Sequence, residues 1–162
     1  DAIYEAGKNE KIQNFGTYAV NSLRMEKAYR GWGAELTGEI SLVEAGMSRF
    51  FNLNKKGNFI GSEALRNKLQ SGVDIKIAYL EIDAKDADAR GNEPVYHNNK
   101  IVGVVTSGAY GFRVNKSLAF AYVQSELVKN ENDFIVEIQG QKRKAKILNS
   151  PAYDPQNKNL KS

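Results

Sequence analysis

The segment from Asn21 to Gly33 holds the residue types best suited to chemistry, and it reads Asn-Ser-Leu-Arg-Met-Glu-Lys-Ala-Tyr-Arg-Gly-Trp-Gly. Two arginines, a glutamate, a tyrosine and a tryptophan lie close together and are broken by glycines. A planar guanidinium beside aromatic faces can stack on an aromatic ligand and form paired hydrogen bonds to its carboxylate. The same side chains could equally fill an interface between domains, and the residues alone leave both possibilities open.

Other arrangements that could support catalysis are weak. The chain has no cysteine, which excludes disulfides, thiolate metal sites and a cysteine nucleophile. His97 is the only histidine, and we interpret it as a surface residue beside a turn, so a Ser-His-Asp triad or a zinc site is not expected. Asp83, Asp86 and Asp88 depart from the EF-hand spacing and are interpreted as a solvated loop. No catalytic or metal-binding residue is predicted.

Two further patterns have structural explanations. Gly103, Gly108 and Gly111 do not form the dinucleotide-binding fingerprint and no helical pattern follows them, so a phosphate-binding loop is rejected. The basic run at 141–146 places its lysines on one face of a strand, which suits the charged outer face of a barrel.

The composition is that of an ordinary globular domain, with 41% hydrophobic and 26% charged residues in a chain of 162. The net charge of +4 is spread along the chain and interleaved with acids, so no nucleic-acid partner is expected. No apolar run approaches the roughly 20 residues that cross a bilayer, and the first residues lack the apolar core of a secretory signal. A cytoplasmic location is therefore the default expectation, with an organelle matrix as the alternative.

The sequence pattern changes near residue 72. Before it, we expect a short helix ending near Gly16, an ambiguous stretch at 17–27, and a helix that runs from a capping Ser62 to about Leu69. After it come short segments rich in Val, Ile, Tyr and Phe with no intervening helix. The six predicted strands are Ile75–Ile82, Val95–His97, Ile101–Thr106, Leu118–Val123, Phe134–Ile138 and Arg143–Leu148.

Turn residues separate these strands. Asn98–Asn99 and Gly140–Gln141 lie where tight hairpins need residues that tolerate positive φ, and 108–115 and 129–133 read as longer turns. The predicted fold class is α+β and mostly β, a small C-terminal antiparallel β-barrel preceded by a short partial α/β segment.

Several separated motifs are similar to those of one known family. In chain order they are residues 21–33, Glu-Ile-Ser-Leu-Val-Glu-Ala-Gly-Met at 39–47, Asn-Phe-Ile-Gly-Ser-Glu-Ala-Leu at 58–65, Gly-Val-Val-Thr-Ser-Gly-Ala-Tyr-Gly at 103–111 and Lys-Ser-Leu-Ala-Phe-Ala-Tyr-Val at 116–123. Together they resemble the aminomethyltransferase family, typified by the glycine-cleavage T-protein. The closing Ser-Pro-Ala-Tyr-Asp-Pro at 150–155 and the Tyr-Arg-Gly-Trp-Gly turn resemble the folate-binding end of dimethylglycine and sarcosine dehydrogenases.

This resemblance implies a protein that holds tetrahydrofolate and assists one-carbon transfer from a small amine substrate. Residues 1–72 would be the tail of the central folate-binding α/β region, and residues 73–162 would be the C-terminal barrel. The family's catalytic aspartate and pterin-contacting glutamate would lie in upstream domains of the same polypeptide, with FAD only in an upstream domain, if one is present. We therefore expect the chain to be a portion of a larger enzyme and to be inactive by itself.

The resemblance also suggests which residues would contact folate. The family arginine of the Leu-Arg-hydrophobe-Glu motif falls on Arg24, and Glu26 follows it as a structural partner. Tyr29, Trp32 and Tyr153 complete the predicted cofactor-binding set. Tyr153 is not a clean match to the folate-contacting tyrosine of the family, because Gln-Asn-Lys-Asn-Leu occupies the corresponding tail.

Two other functions stay open at this point. The chain could be a structural or interaction module of the same fold without turnover, or part of a folate-dependent demethylase that acts on another methyl donor, such as a sulfonium compound. The barrel does not distinguish them, because the reacting groups would lie upstream.

Overall fold

The computed structural model describes residues 1–57, 59–129 and 133–161. The helices are α1 (Ala2–Gly7), α2 (Thr17–Glu26), α3 (Ser62–Ser71) and α4 (Ser125–Val128), with 3-10 turns at Lys8–Glu10 and Ser48–Phe50. The strands are β1 (Ile75–Ile82), β2 (Pro94–His97), β3 (Lys100–Gly111), β4 (Lys116–Gln124), β5 (Asp133–Ile138) and β6 (Gln141–Ile147). Asn58, which begins one of the family motifs, lies outside the described residues.

The six strands form a closed antiparallel barrel in the order β1-β4-β3-β2-β5-β6, with β6 pairing back to β1. The prediction of a mostly β fold with a C-terminal barrel is confirmed. Strand β3 is longer than predicted, since it continues through the glycines at 108 and 111 that we had assigned to a turn. Neither position has room for a side chain: a Cβ on Gly108 would lie 2.3 Å from the carbonyl oxygen of Ala89, and one on Gly111 would lie 2.9 Å from side-chain atoms of Glu26 and Val114.

The predicted hairpins are close to correct. Asn98 and Asn99 have φ of 49° and 62° and connect β2 to β3, as expected. The second tight turn is centred on Gln139 and Gly140, with φ of 52° and 75°, one residue earlier than predicted. Most of the longer turn predicted at 129–133 lies outside the described residues.

The first part of the chain departs from the prediction. The first helix does not reach Gly16, because its 3-10 extension ends where Lys11 turns into the left-handed region at φ 54°. The ambiguous stretch at 17–27 is helical as far as Glu26, and Lys27 caps the helix. Ser62 is the first helical residue and is buried, while Gly61, at φ 86°, occupies the capping position. In the part of the chain that the structure describes, no helix has the length and apolarity needed to cross a membrane.

Strand β4 separates two apolar clusters and is buried on both faces. Its inward-facing residues belong to the barrel interior, and its outward-facing residues pack under α2 beside Met25. The inward set is Ala119, Ala121 and Val123, and the outward set is Leu118, Phe120 and Tyr122. A strand covered on both sides is apolar throughout, and this packing places α2 against the outer wall of the barrel.

Candidate functional site

Helix α2 is fixed to β3 by side chains from its middle turn. The Asn21 amide donates to the carbonyl oxygen of Gly108 at 3.1 Å, and the Ser22 hydroxyl donates to that of Tyr110 at 2.6 Å. Buried polar groups need such partners, because an unpaired one costs about 1–3 kcal/mol. The helix that carries Arg24 is therefore held at one position on the barrel.

A fully buried carboxylate, that of Glu35, lies at the centre of the arginine-rich turn. Its Oε2 accepts hydrogen bonds from the backbone N–H of Gly31 at 2.7 Å and from Arg24 Nη1 at 2.9 Å. Its Oε1 accepts from the hydroxyls of Thr106 at 2.7 Å and Ser107 at 2.5 Å. A charge of this kind is tolerated inside a protein only when it is paired and hydrogen-bonded, as it is here.

A β-bulge allows two adjacent residues to reach this carboxylate. Successive side chains in a regular strand point to opposite faces, so Thr106 and Ser107 should diverge. The pairing of β3 with β4 shifts register between Val105 and Ser107, which redirects one of them. Tyr122 adds a bond from its hydroxyl to the main-chain oxygen of Glu35 at 2.8 Å. Burial, with the nearby charge of Glu35, raises the pKa of Tyr122 to about 12, so its hydroxyl stays a donor.

The guanidinium of Arg24 is largely held by protein contacts. Its Nε donates to Asn21 Oδ1 at 2.8 Å, and its Nη1 donates to the main-chain oxygen of Tyr29 at 3.2 Å as well as to Glu35. Among the described residues, Nη2 has no hydrogen-bond partner. Tyr29 is 43% exposed and Trp32 is 83% exposed in the same turn. Three of the four predicted ligand residues, Arg24, Tyr29 and Trp32, thus lie in the end of α2 and the turn that follows it.

Tyr153 lies among different contacts. Its backbone N–H donates to the main-chain oxygen of Glu26 at 2.9 Å, and its hydroxyl accepts from Arg113 at 2.7 Å and Asn159 at 2.9 Å. The buried Glu26 carboxylate also accepts from the backbone N–H of Arg113 at 2.7 Å. Glu26 therefore makes structural contacts, and Tyr153 packs where the C-terminal segment meets the β3–β4 connection.

The C-terminal segment is tied to the end of α2 by a lysine. Lys27 Nζ donates to the main-chain oxygen of Asp154 at 2.7 Å and to Asn157 Oδ1 at 2.6 Å, and it lies 3.5 Å from Asp154 Oδ2. The backbone N–H of Lys158 donates to Asp154 Oδ1 at 2.7 Å. Desolvation would raise the pKa of Asp154, but the Lys158 bond and the Lys27 charge more than offset it and hold that pKa below its usual range.

We expect Lys27→Met to loosen the C-terminal segment. Because the folded-state pKa of Asp154 is lowered, its contribution is present above the ordinary aspartate pKa of about 4 and is lost as the pH falls through the lower folded value. In the variant, the pKa of Asp154 should move up towards the ordinary value, and the Tyr153 amide should exchange faster with solvent. NMR titration and hydrogen exchange measure both quantities, and unchanged exchange with an unchanged pKa would show that Lys27 does not hold the segment.

The remaining acidic and histidine positions have structural partners. Asp86 pairs with Arg143 at 2.7 Å and Asp88 accepts from the Ser117 hydroxyl at 2.6 Å, so their loop is more tightly held than the solvated loop we had predicted. His97 is partly exposed, with its Nδ1 3.0 Å from a main-chain oxygen of β5. The described residues contain no cluster of three or more His, Cys, Asp or Glu side chains that could hold a metal ion.

The comparisons with known proteins match both parts of the chain. The family model for the glycine cleavage T-protein C-terminal barrel domain matches residues 76–154, and the model for the GCVT N-terminal domain matches residues 1–55. The chain belongs to the glycine cleavage T-protein, or aminomethyltransferase, family. The first match covers β1 to β6, and the second contains Arg24, Glu35 and the turn between them.

Similar curated proteins are amine dehydrogenases and aminomethyltransferases. The chain is 43% identical to human mitochondrial dimethylglycine dehydrogenase over 93% of its length, 31% identical to a Geobacillus aminomethyltransferase over 94%, and 30% identical to mouse mitochondrial sarcosine dehydrogenase over 99%. It spans only 17%, 42% and 18% of these proteins, respectively. It therefore resembles the C-terminal region of longer family members.

A solved structure supports the fold. Glycine cleavage system aminomethyltransferase T from Bartonella henselae superposes with a TM-score of 0.86 at 23% identity, over 95% of this chain and 44% of that one. The architecture of the family is therefore shared even where the sequence has diverged. The sequence did not predict the contacts of Glu35. The only signal for a role in this turn was its position three residues after Trp32.

Proposed function

We propose that this chain is the tetrahydrofolate-binding C-terminal portion of an aminomethyltransferase-like or dimethylglycine/sarcosine dehydrogenase-like enzyme that acts in one-carbon transfer. Residues 1–72 form the tail of the central folate-binding α/β region, and residues 73–162 form the barrel. The two family matches, at 1–55 and 76–154, support a boundary between them. The named relatives support this proposal over a non-catalytic module or a demethylase of another methyl donor.

The proposal rests on the hydrogen bonds of the Arg24 guanidinium. Glu35 and Asn21 hold its guanidinium, while Nη2 has no partner among the described residues and adjoins a turn with two exposed aromatic side chains. Tetrahydrofolate combines ring systems with carboxylates, so Arg24 can form charge-assisted hydrogen bonds to it while Tyr29 and Trp32 contact its rings. Tyr153 remains a candidate contact from the C-terminal segment.

When bound, tetrahydrofolate supplies the carrier for the one-carbon unit. This chain's part is to bind and orient it, while upstream domains contribute the catalytic residues, the contacts to the small amine substrate and, in a dehydrogenase, FAD. The cytoplasmic location stays a prediction, since the mammalian relatives named above are mitochondrial.

Trp32 is the only tryptophan, so its indole N–H resonance reports directly on this site. We expect tetrahydrofolate to shift this resonance in the isolated chain, with weak affinity because part of the binding channel belongs to upstream domains. Arg24→Lys should weaken binding about tenfold, since a lysine keeps the charge beside Glu35 but loses the planar fork, and a hydrogen bond to a charged group contributes about 1.5–3 kcal/mol.

The matched control is Arg90→Lys, which changes an exposed arginine and should leave the affinity unchanged. The free energy of unfolding of each variant separates a ligand contact from a loss of structure. Equal affinity in the Arg24 and Arg90 variants would assign Arg24 a purely structural role. No shift of the Trp32 resonance even at saturating tetrahydrofolate would remove the support for folate binding by this chain.

A further inference from the structure

A cavity of about 730 Å³ lies between the end of α2, the segment at 46–50 and the C-terminal segment at 148–157. Three basic residues line it, Lys27, Arg30 and Arg49, and no aspartate or glutamate in the described ranges does. Lys27 is already paired with Asp154, so the unpaired positive charge comes from the two arginines. Of the residues proposed above to contact folate, only Tyr29 lines this cavity.

Arg30 reaches the cavity from a half-buried position. Its guanidinium lies over the Phe120 ring at 5.2 Å, Nε donates to the main-chain oxygen of Ala45 at 3.2 Å, and Nη1 donates to that of Ala28 at 2.8 Å. Its Nη2 has no hydrogen-bond partner among the described residues. Nη2 lies 3.5 Å from where a Cβ on Gly46 would be, so the absence of a side chain there keeps this nitrogen accessible.

Arg49 also lines the cavity and is exposed. Its guanidinium lies over the Phe50 ring at 4.9 Å, and neither arginine forms an ion pair with any described residue. Desolvation, followed by the like charge of Arg49, lowers the pKa of Arg30, and the opposing effects of Tyr122 and Glu35 only partly offset this. Two guanidinium groups that disfavour each other across a shared cavity would both be stabilised by an anion between them.

We propose that this cavity binds an oxyanion, the carboxylate or phosphate group of a small molecule, between Arg30 and Arg49. Guanidinium groups match the geometry of both anions with paired hydrogen bonds. Asn149 and Ser150, which also line the cavity, can add neutral donors. This site is distinct from the Arg24 turn and does not depend on folate binding there.

The two arginines differ in what they do for the fold. Arg30 is bonded to two main-chain oxygens, so replacing it would disturb the protein as well as the site. Arg49 forms no hydrogen bond with the part of the chain that the structure describes, so Arg49→Gln should leave the free energy of unfolding nearly unchanged while it removes half of the anion site. It is therefore the informative variant.

The experiment titrates the isotope-labelled chain with citrate and, separately, with pyrophosphate, and follows the amides of Gly46 and Asn149 and the Trp32 indole. We expect at least one of the two anions to shift the cavity amides while leaving Trp32 in place, and Arg49→Gln to weaken that binding about tenfold. Arg90→Gln removes the same charge from an exposed site elsewhere and should change affinity less than twofold.

Binding of citrate alone, pyrophosphate alone or both supports the proposal and identifies a carboxylate, a phosphate or either as the anion. The proposal is overturned if neither anion moves the cavity amides, or if Arg49→Gln and Arg90→Gln weaken binding equally, which indicates general charge attraction. It is also overturned if the anions shift Trp32 instead, which would place the anion at the Arg24 turn. A failure of tetrahydrofolate to bind leaves all of these outcomes unchanged.

Discussion

Glu35→Ala should lower the free energy of unfolding by about 3–5 kcal/mol, the range for breaking a buried ion pair by removing one partner. The change leaves Arg24 without its counter-charge and takes the acceptor from the backbone N–H of Gly31. It also removes the carboxylate acceptor of the Ser107 hydroxyl and leaves the Thr106 hydroxyl only its longer bond to the main-chain oxygen of Phe120, at 3.3 Å. Urea denaturation measures the effect as a shift of midpoint at constant slope.

The matched control is Glu39→Ala. Glu39 is exposed on the same loop, and the hydrogen bond recorded for it involves only its backbone N–H, so its loss should change stability by no more than about 0.5 kcal/mol. Glu35→Gln should fall between the two, because its amide oxygen can still accept from the two hydroxyls. If Glu35→Ala is no more destabilising than Glu39→Ala, this carboxylate does not organise the turn.

The ion pair between Arg24 and Glu35 determines which Arg24 variant can test the proposed ligand site. Removing the arginine side chain altogether would leave a buried carboxylate without its counter-charge, so lost folate binding would not separate ligand contact from misfolding. A lysine retains a cation beside the carboxylate. The proposed ligand contact and the structural contact are made by different nitrogens of one guanidinium, Nη2 and Nη1, which is why the pair has to be treated as a unit.

Local sequence patterns were enough to predict the barrel and to group three of the residues proposed to contact a ligand. Short apolar segments separated by Asn98–Asn99 and similar turns specify hairpins because each signal lies within a few residues of what it controls. The same short range groups Arg24, Tyr29 and Trp32, since they belong to one helix end and the turn that follows. The continuous burial of β4 on both faces agrees with its unbroken apolar run from Leu118 to Val123.

The contacts across the barrel could not be predicted in this way. Glu35 meets Thr106 and Ser107, which lie 71 and 72 residues away, through a bulge that leaves no mark in the sequence. Whether α2 is helix or strand was equally undecided, because its buried face depends on packing against Phe120 and its neighbours. Propensity is a weak prior where tertiary packing determines the conformation.

Gly108 is the clearest case of a residue whose role depends on distant backbone. In sequence it belongs to a glycine-containing segment that reads as a turn, yet it lies within β3. A Cβ there would lie 2.3 Å from the main-chain oxygen of Ala89 and 3.1 Å from that of Leu118, and neither can rotate away as a flexible side chain would. The carbonyl of Gly108 also accepts the bond from Asn21 that anchors α2.

We therefore expect Gly108→Ala to lower the free energy of unfolding by about 3 kcal/mol, the upper end of the usual range for overpacking a well-packed interior. The displaced strand should also move α2, so the Trp32 indole resonance should shift in the folded variant. Gly38→Ala is the control, because a Cβ at Gly38 meets no atom within 4 Å. Equal stability of the two variants, with Trp32 unmoved, would mean that β3 can yield at this position without displacing the helix that carries Arg24.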